Sequence, residues 1–144
     1  MNASTRKKDG AKKKILVIDD DSDTLVLVGR IITRIGFHAV LKSNAEDGLI
    51  CARKRLPDLI LCDIRMPGGM DGNEFARRFR TIPGAGDVPL LAFTVHTLDS
   101  NSMKSRAAGF DGYIPNKAAL DAGRFLKYLG AFGARQDKKR KRSR

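Results

Sequence analysis

The chain has 144 residues, 42% of them hydrophobic and 31% charged, with a formal net charge of +12, which suits one domain with a core of its own. No apolar run approaches the roughly 18–20 residues of a membrane-spanning helix, and the opening MNASTRKKDGAKKK is followed by no stretch of signal-peptide type, so a cytoplasmic protein is expected. Cys51, Cys62, His38 and His96 stand in no metal-binding spacing, which argues against zinc and against a disulfide framework.

The charge is unevenly placed. Residues 1–14 carry six bases and one acid, residues 135–144 seven and one, and the 120 residues between them fifteen and fourteen. The expected layout is a nearly neutral domain over 14–132, between basic disordered tails at 1–13 and 133–144 that lack the apolar residues needed to fold.

Along the chain two patterns alternate. Ile15–Ile18 is a short apolar run that reads as a buried strand. "SDTLVLVGRIITRIGF" then reads as a helix capped by Ser22 or Asp23 and ended at Gly36. Phe37–Leu41 is a weaker strand candidate. "NAEDGLICARKRL" is a helix starting at Asn44, with acids in its first turn and bases in its last, as the helix dipole favours. Leu59–Cys62 is the third strand, and "NEFARRFRTI" after Gly72 the third helix. Pro89–Thr94 is the fourth strand, followed by "LDSNSMKSRAAGF", a helix ending at Gly109. Gly112–Pro115 is the fifth strand. "AALDAGRFLKYLGAFG" closes the domain, with Leu120, Phe125, Leu126 and Leu129 as its apolar positions. Runs of continuous apolarity suit strands covered on both faces. Five β–α units predict an α/β fold with a parallel sheet between layers of helices.

In such sheets ligands bind beyond the carboxyl ends of the strands. Asp19, Asp20 and Asp21 follow the first strand, Asp63 the third, Thr94 ends the fourth, and Pro115, Asn116 and Lys117 follow the fifth. Gathered at one edge, these carboxylates repel each other unless a hard cation such as magnesium neutralises them. Aspartates after strands also serve as turn formers and helix caps. That role is expected of Asp21 and Asp23 for the first helix and of Asp71 for the third. Cys62 reads as a small core residue.

The stretches "KKILVIDDDSD", "PDLILCDIRMPGGMDGNEF", "VPLLAFTVHT" and "AAGFDGYIPNK" resemble the receiver domain of two-component response regulators over residues 13 to about 132. The resemblance implies a doubly wound, flavodoxin-like and CheY-like five-stranded parallel sheet of order 2-1-3-4-5 with five helices. It also implies a phosphoacceptor switch rather than an enzyme acting on other molecules. Asp63 would take a phosphoryl group from a phosphohistidine on a sensor histidine kinase or a histidine phosphotransfer protein. Asp20 would bind Mg2+ directly, Asp19 mainly through water, and Arg65 through its backbone carbonyl. Thr94 would hydrogen-bond the phosphoryl group and Tyr113 would couple to it by rotamer.

The chain departs from the family pattern in four places. "MPGGMDG" holds one glycine more than usual. Val95 stands where a smaller residue is common. His96 occupies a position that tunes dephosphorylation in the family. Asn116 takes the place of the usual lysine, and Lys117 that of the following proline. Because Pro115 ends the strand early, the Lys117 ammonium is expected to swing back toward Asp63.

With about a dozen residues after the last helix, the expectation is a stand-alone receiver, monomeric or weakly dimeric, signalling by phosphorylation-dependent protein binding or phosphorelay. The alternative is a binder of nucleic acid or anionic surfaces acting through the tails. These hold no aromatic residue for base stacking, and no helix-turn-helix follows, so no specific nucleic acid is expected, while nonspecific contact stays open. A haloacid-dehalogenase-type phosphatase is disfavoured. Its D-x-D-x-T/V pattern fails at Leu25 when started from Asp21 and at Asp23 when started from Asp19.

Overall fold

The computed structural model describes residues 12–93, 101–114 and 121–129. Five strands form one sheet: β1 (Lys14–Ile18), β2 (His38–Lys42), β3 (Leu59–Cys62), β4 (Leu90–Phe93) and β5 (Gly112–Ile114). All neighbours run parallel, in the order β2-β1-β3-β4-β5. The helices are α1 (Ser22–Arg34), α2 (Ala45–Lys54), α3 (Gly72–Phe79), α4 (Asn101–Ala108) and α5 (residues 122–129). A 3-10 turn, Ala85–Asp87, precedes β4.

The period-2 geometry of a strand sorts the apolar runs onto two faces. Leu16, Ile18, Ile60, Cys62, Leu90 and Ala92 point into one core, with Ala45, Leu49 and Ala52 of α2, Phe75, Ala76 and Phe79 of α3, and Ala108 of α4. Ile15, Val17, Leu59, Leu61, Leu91, Phe93 and Ile114 point into the other, with Leu25, Val28, Ile31 and Ile32 of α1 and Phe125 of α5. With both faces covered, every residue of β3 and β4 is buried. This explains runs of uninterrupted apolarity instead of alternation.

The helix ends follow local chemistry. Asn44 caps α2 by accepting the Asp47 N–H, and Asp71 caps α3 by accepting the Glu74 N–H. The cap of α1 is Asp21, not Ser22 or Asp23. Asp21 is extended (φ −89°, ψ 111°) and accepts the Asp23 N–H and the Thr24 hydroxyl, whereas Ser22 and Asp23 already lie in the helix. Gly36 and Gly109, just past α1 and α4, have φ of 97° and 128°, the left-handed conformation that ends a helix. β2 begins one residue later than expected, because the Phe37 N–H still closes the α1 turn on the Ile32 carbonyl. In α5 Phe125 is fully buried, but Leu126 is 49% exposed and does not belong to the core. Leu120 lies outside the described residues.

Candidate phosphoacceptor site

The register of the central strands builds the site. Ile18 on β1 pairs with Cys62 on β3, so the next residues, Asp19 and Asp63, leave the sheet side by side. Both are held from behind. The Asp19 N–H donates to the Lys42 carbonyl of β2 (3.1 Å) and the Asp63 N–H to the Ile18 carbonyl (2.9 Å). Asp19 is fully buried, Asp63 is 8% exposed, and Asp20 is exposed. One carboxylate oxygen from each lies within 4.8 Å of the others.

These donors fit a small hard cation. Ligands of one magnesium ion stand about 2.1 Å from it and so at most about 4.2 Å apart, a geometry three carboxylates at this spacing reach with small rotations. Asp19 is turned by its own backbone surroundings, since Oδ1 accepts the Asp21 N–H at 2.9 Å. Asp21 spends its carboxylate on the α1 cap and stands apart from the cluster, as expected from the sequence.

The loop after Asp63 is tied at several points. Met66 is buried in the core, and the Gly72 N–H donates to the Ile64 carbonyl at 2.9 Å. Gly72 lies directly against Asp63: a Cβ built there would stand 2.3 Å from the Asp63 carbonyl oxygen and 2.7 Å from the Ile64 Cα. At the far end of the loop the Met70 N–H donates to Glu46 Oε2 at 3.0 Å. That bond, more than any other influence, holds the Glu46 carboxyl below the usual range. Neither Gly72 nor Glu46 was among the sequence candidates. The only hint of Gly72 was its place beside the Asp71 cap.

Cys62 is chemically quiet. Burial pushes its thiol well up, and the nearby Asp63 and Asp19 add to that, so the thiol stays protonated beside Asp63. Its Sγ donates to the Asp63 carbonyl at 3.2 Å. Arg65 is exposed, two residues beyond Asp63. Tyr113 lies on β5 in register with Ala92 and is 41% exposed. Thr94, Val95, His96, Pro115, Asn116 and Lys117 lie outside the described residues.

A parallel sheet of order β2-β1-β3-β4-β5 covered on both faces is the flavodoxin-like class of fold, and the carboxylates converge beyond β1 and β3, where that class binds its ligands. The model of the response regulator receiver domain family matches residues 15–124, and the chain belongs to that family. An uncharacterised 14.6 kDa protein from the sodA1 3′ region of Leptolyngbya boryana is 32% identical over 104 residues, 72% of this chain and 79% of that one. The transcriptional regulatory protein AfsQ1 of Streptomyces coelicolor is 31% identical over 100 residues, 69% of this chain and 43% of AfsQ1. The chain spans less than half the length of the transcriptional regulators it matches.

Among solved structures, the CheY-like receiver protein of Methanospirillum hungatei superposes with a TM-score of 0.79 at 25% identity, covering 90% of this chain and 99% of that one. The receiver domain of sensor histidine kinase PA1611 from Pseudomonas aeruginosa, which has magnesium coordinated in its active site cleft, gives 0.76 at 21% identity and shares the fold, with 85% and 98% covered.

Proposed function

We propose that this receiver accepts a phosphoryl group on Asp63 from a phosphohistidine of a sensor histidine kinase or a histidine phosphotransfer protein. The observation that supports it is the approach of the Asp19, Asp20 and Asp63 carboxylates to within 4.8 Å at the end of the two central strands. A carboxylate is a weak nucleophile toward an anionic donor, and three carboxylates make it weaker by repulsion. Mg2+, when bound, supplies charge neutralisation and draws the donor's phosphoryl oxygens toward Asp63. Asp20 offers an exposed carboxylate for direct contact, Asp19 a buried one already oriented by the Asp21 N–H, and Arg65 its backbone carbonyl.

An Asp63 oxygen attacks phosphorus as the N–P bond breaks, and the imidazole leaves with the bonding pair and takes up a proton. Thr94 would then hydrogen-bond the phosphoryl group, Lys117 would bring a cation to it, and Tyr113 would change rotamer with it. Output would follow from phosphorylation-dependent protein binding or onward relay, and the same site would catalyse its own dephosphorylation. A donor charged from ATP would keep the protein in the cytoplasm. Among the described residues no helix is long and apolar enough to cross a membrane.

Incubation with magnesium and a small phosphodonor tests the reading. It predicts a single adduct that survives acid and is lost in base; a base-stable adduct, or none, counts against it. The division of labour among the aspartates after β1 is tested separately. Asp20→Ala should weaken magnesium binding by roughly ten-fold or more. Asp21→Ala should leave it nearly unchanged and cost about 1 kcal/mol of stability through the lost cap. A magnesium titration followed by amide shifts of residues 19, 20, 63 and 65 reads the first effect. Equal losses from the two variants would contradict the assignment.

A further inference from the structure

We infer that Glu46 is a positioning residue for the acceptor site, a carboxylate on α2 that holds the loop after Asp63 by sitting in a notch left open at Gly69. The inference deepens the phosphoacceptor reading and rests on it. Glu46 stands in the first turn of α2, the helix that follows β2, and therefore at the carboxyl edge of the sheet with Asp19 and Asp63. Its Oε2 accepts the Met70 N–H at 3.0 Å across 24 residues of chain. A Cβ built on Gly69 would lie 2.7 Å from that same Oε2, and 3.5 Å from both Cδ and Oε1. The carboxylate thus fills the space a side chain at 69 would take. The second glycine of "MPGGMDG" is what admits it.

The consequence for the site follows from how the loop is anchored. Its root is fixed by buried Met66 and by the Gly72 to Ile64 hydrogen bond, while Pro67, Gly68 and Gly69 at its tip are exposed. Glu46 ties that tip to α2. With root and tip both held, the segment between them, which carries the Arg65 carbonyl, has less freedom to move before cation and phosphodonor arrive. Less ordering remains to be done on binding, which favours both cation affinity and transfer rate.

Gly69→Ala separates this role from the charge of Glu46. Residue 69 is not among the glycines with positive φ, so alanine fits the backbone, and what its Cβ meets is the end of a flexible side chain. The fold should therefore survive with the carboxylate displaced and the net charge unchanged. On the full chain, Glu46→Ala, Gly69→Ala and the double variant are compared by the Met70 amide proton shift, the magnesium dissociation constant and the rate of labelling by a small phosphodonor. The expected result is an upfield Met70 amide in all three, magnesium binding weakened by about ten-fold in each single variant, and no further loss in the double, since both changes break one contact. Thermal midpoints should stay within a few degrees of wild type, and Glu46→Gln, which keeps an acceptor oxygen, should restore most of the Met70 shift. Single variants that bind magnesium as wild type does, or losses that multiply in the double variant, overturn the inference while leaving the phosphoacceptor reading intact. A wild-type chain that neither binds magnesium nor accepts label overturns that reading, and the positioning role falls with it.

Discussion

Gly72→Ala is expected to destabilise the domain by about 3 kcal/mol, at the upper end of the cost of overpacking, and to slow labelling of Asp63 by about ten-fold or more. The cause is steric. The added methyl would lie 2.3 Å from the Asp63 carbonyl oxygen and 2.7 Å from the Ile64 Cα, and these are backbone atoms of the strand end itself. A flexible side chain could swing aside; the end of β3 cannot, because the Asp63 N–H is bonded to the Ile18 carbonyl of the neighbouring strand. Either α3 moves outward, opening the packing of Phe75 and Phe79 in the core, or Asp63 is displaced relative to Asp19 and Asp20. Urea unfolding reads the first effect and phosphodonor kinetics the second. A variant as stable and as reactive as wild type would show that α3 does not press on Asp63 in the way described.

Arg80→Ala is expected to cost about 3 kcal/mol, from several charge-assisted hydrogen bonds lost at once. Arg80 follows α3, its side chain only 20% exposed, and every nitrogen of its guanidinium is used. Nη1 donates to the Ala85 and Val88 carbonyls at 2.7 and 2.8 Å, and Nε and Nη2 to the Gly109 carbonyl at 3.0 and 2.8 Å. Nη2 also meets Asp111 Oδ2 at 2.8 Å, the oxygen that accepts the Leu90 N–H. One side chain therefore joins the end of α3, the turn before β4, and the connection from α4 to β5. The Asp111 carboxylate is about a third exposed, so its ion pair contributes little beyond the hydrogen bond itself. Arg80→Lys should recover less than half of the loss, since one ammonium cannot reproduce the planar fork. Chemical denaturation of the two variants checks this, and a lysine variant matching wild type would contradict it.

These two residues also mark where the sequence stops being informative. The sheet is legible because each central strand is a short continuous apolar run, and the order of runs and helices leaves few topologies. The carboxylate cluster is legible because Asp19 and Asp63 follow adjacent strands, and the caps at Asn44 and Asp71 because Asx side chains before a helix have a local job. Local signals fail where several residues could do the same job. "DDDSD" offers several caps for α1, and only the extended backbone at Asp21 selects among them. They fail again at Leu126, apolar but on the outer side of α5. They say nothing of the tertiary contacts made by Arg80, Gly72 and Glu46. Arg80 is one of three arginines in "ARRFR" and binds carbonyls up to 29 residues away. Gly72 is one glycine of fourteen, defined by a backbone it presses against. Glu46 looks like an ordinary first-turn acid, and its partner is an amide 24 residues on.

The central claim, that Asp63 is the phosphoacceptor in a carboxylate site that needs a cation, is tested most directly by intact mass. Wild type and Asp63→Asn are incubated with a small phosphodonor, with and without magnesium. Wild type should gain one phosphoryl group with magnesium and little or none without it, and Asp63→Asn none under either condition, because an amide is neither a comparable nucleophile nor a good ligand for a hard cation. Labelling of the asparagine variant to the wild-type level, or labelling of wild type that ignores magnesium, would contradict it.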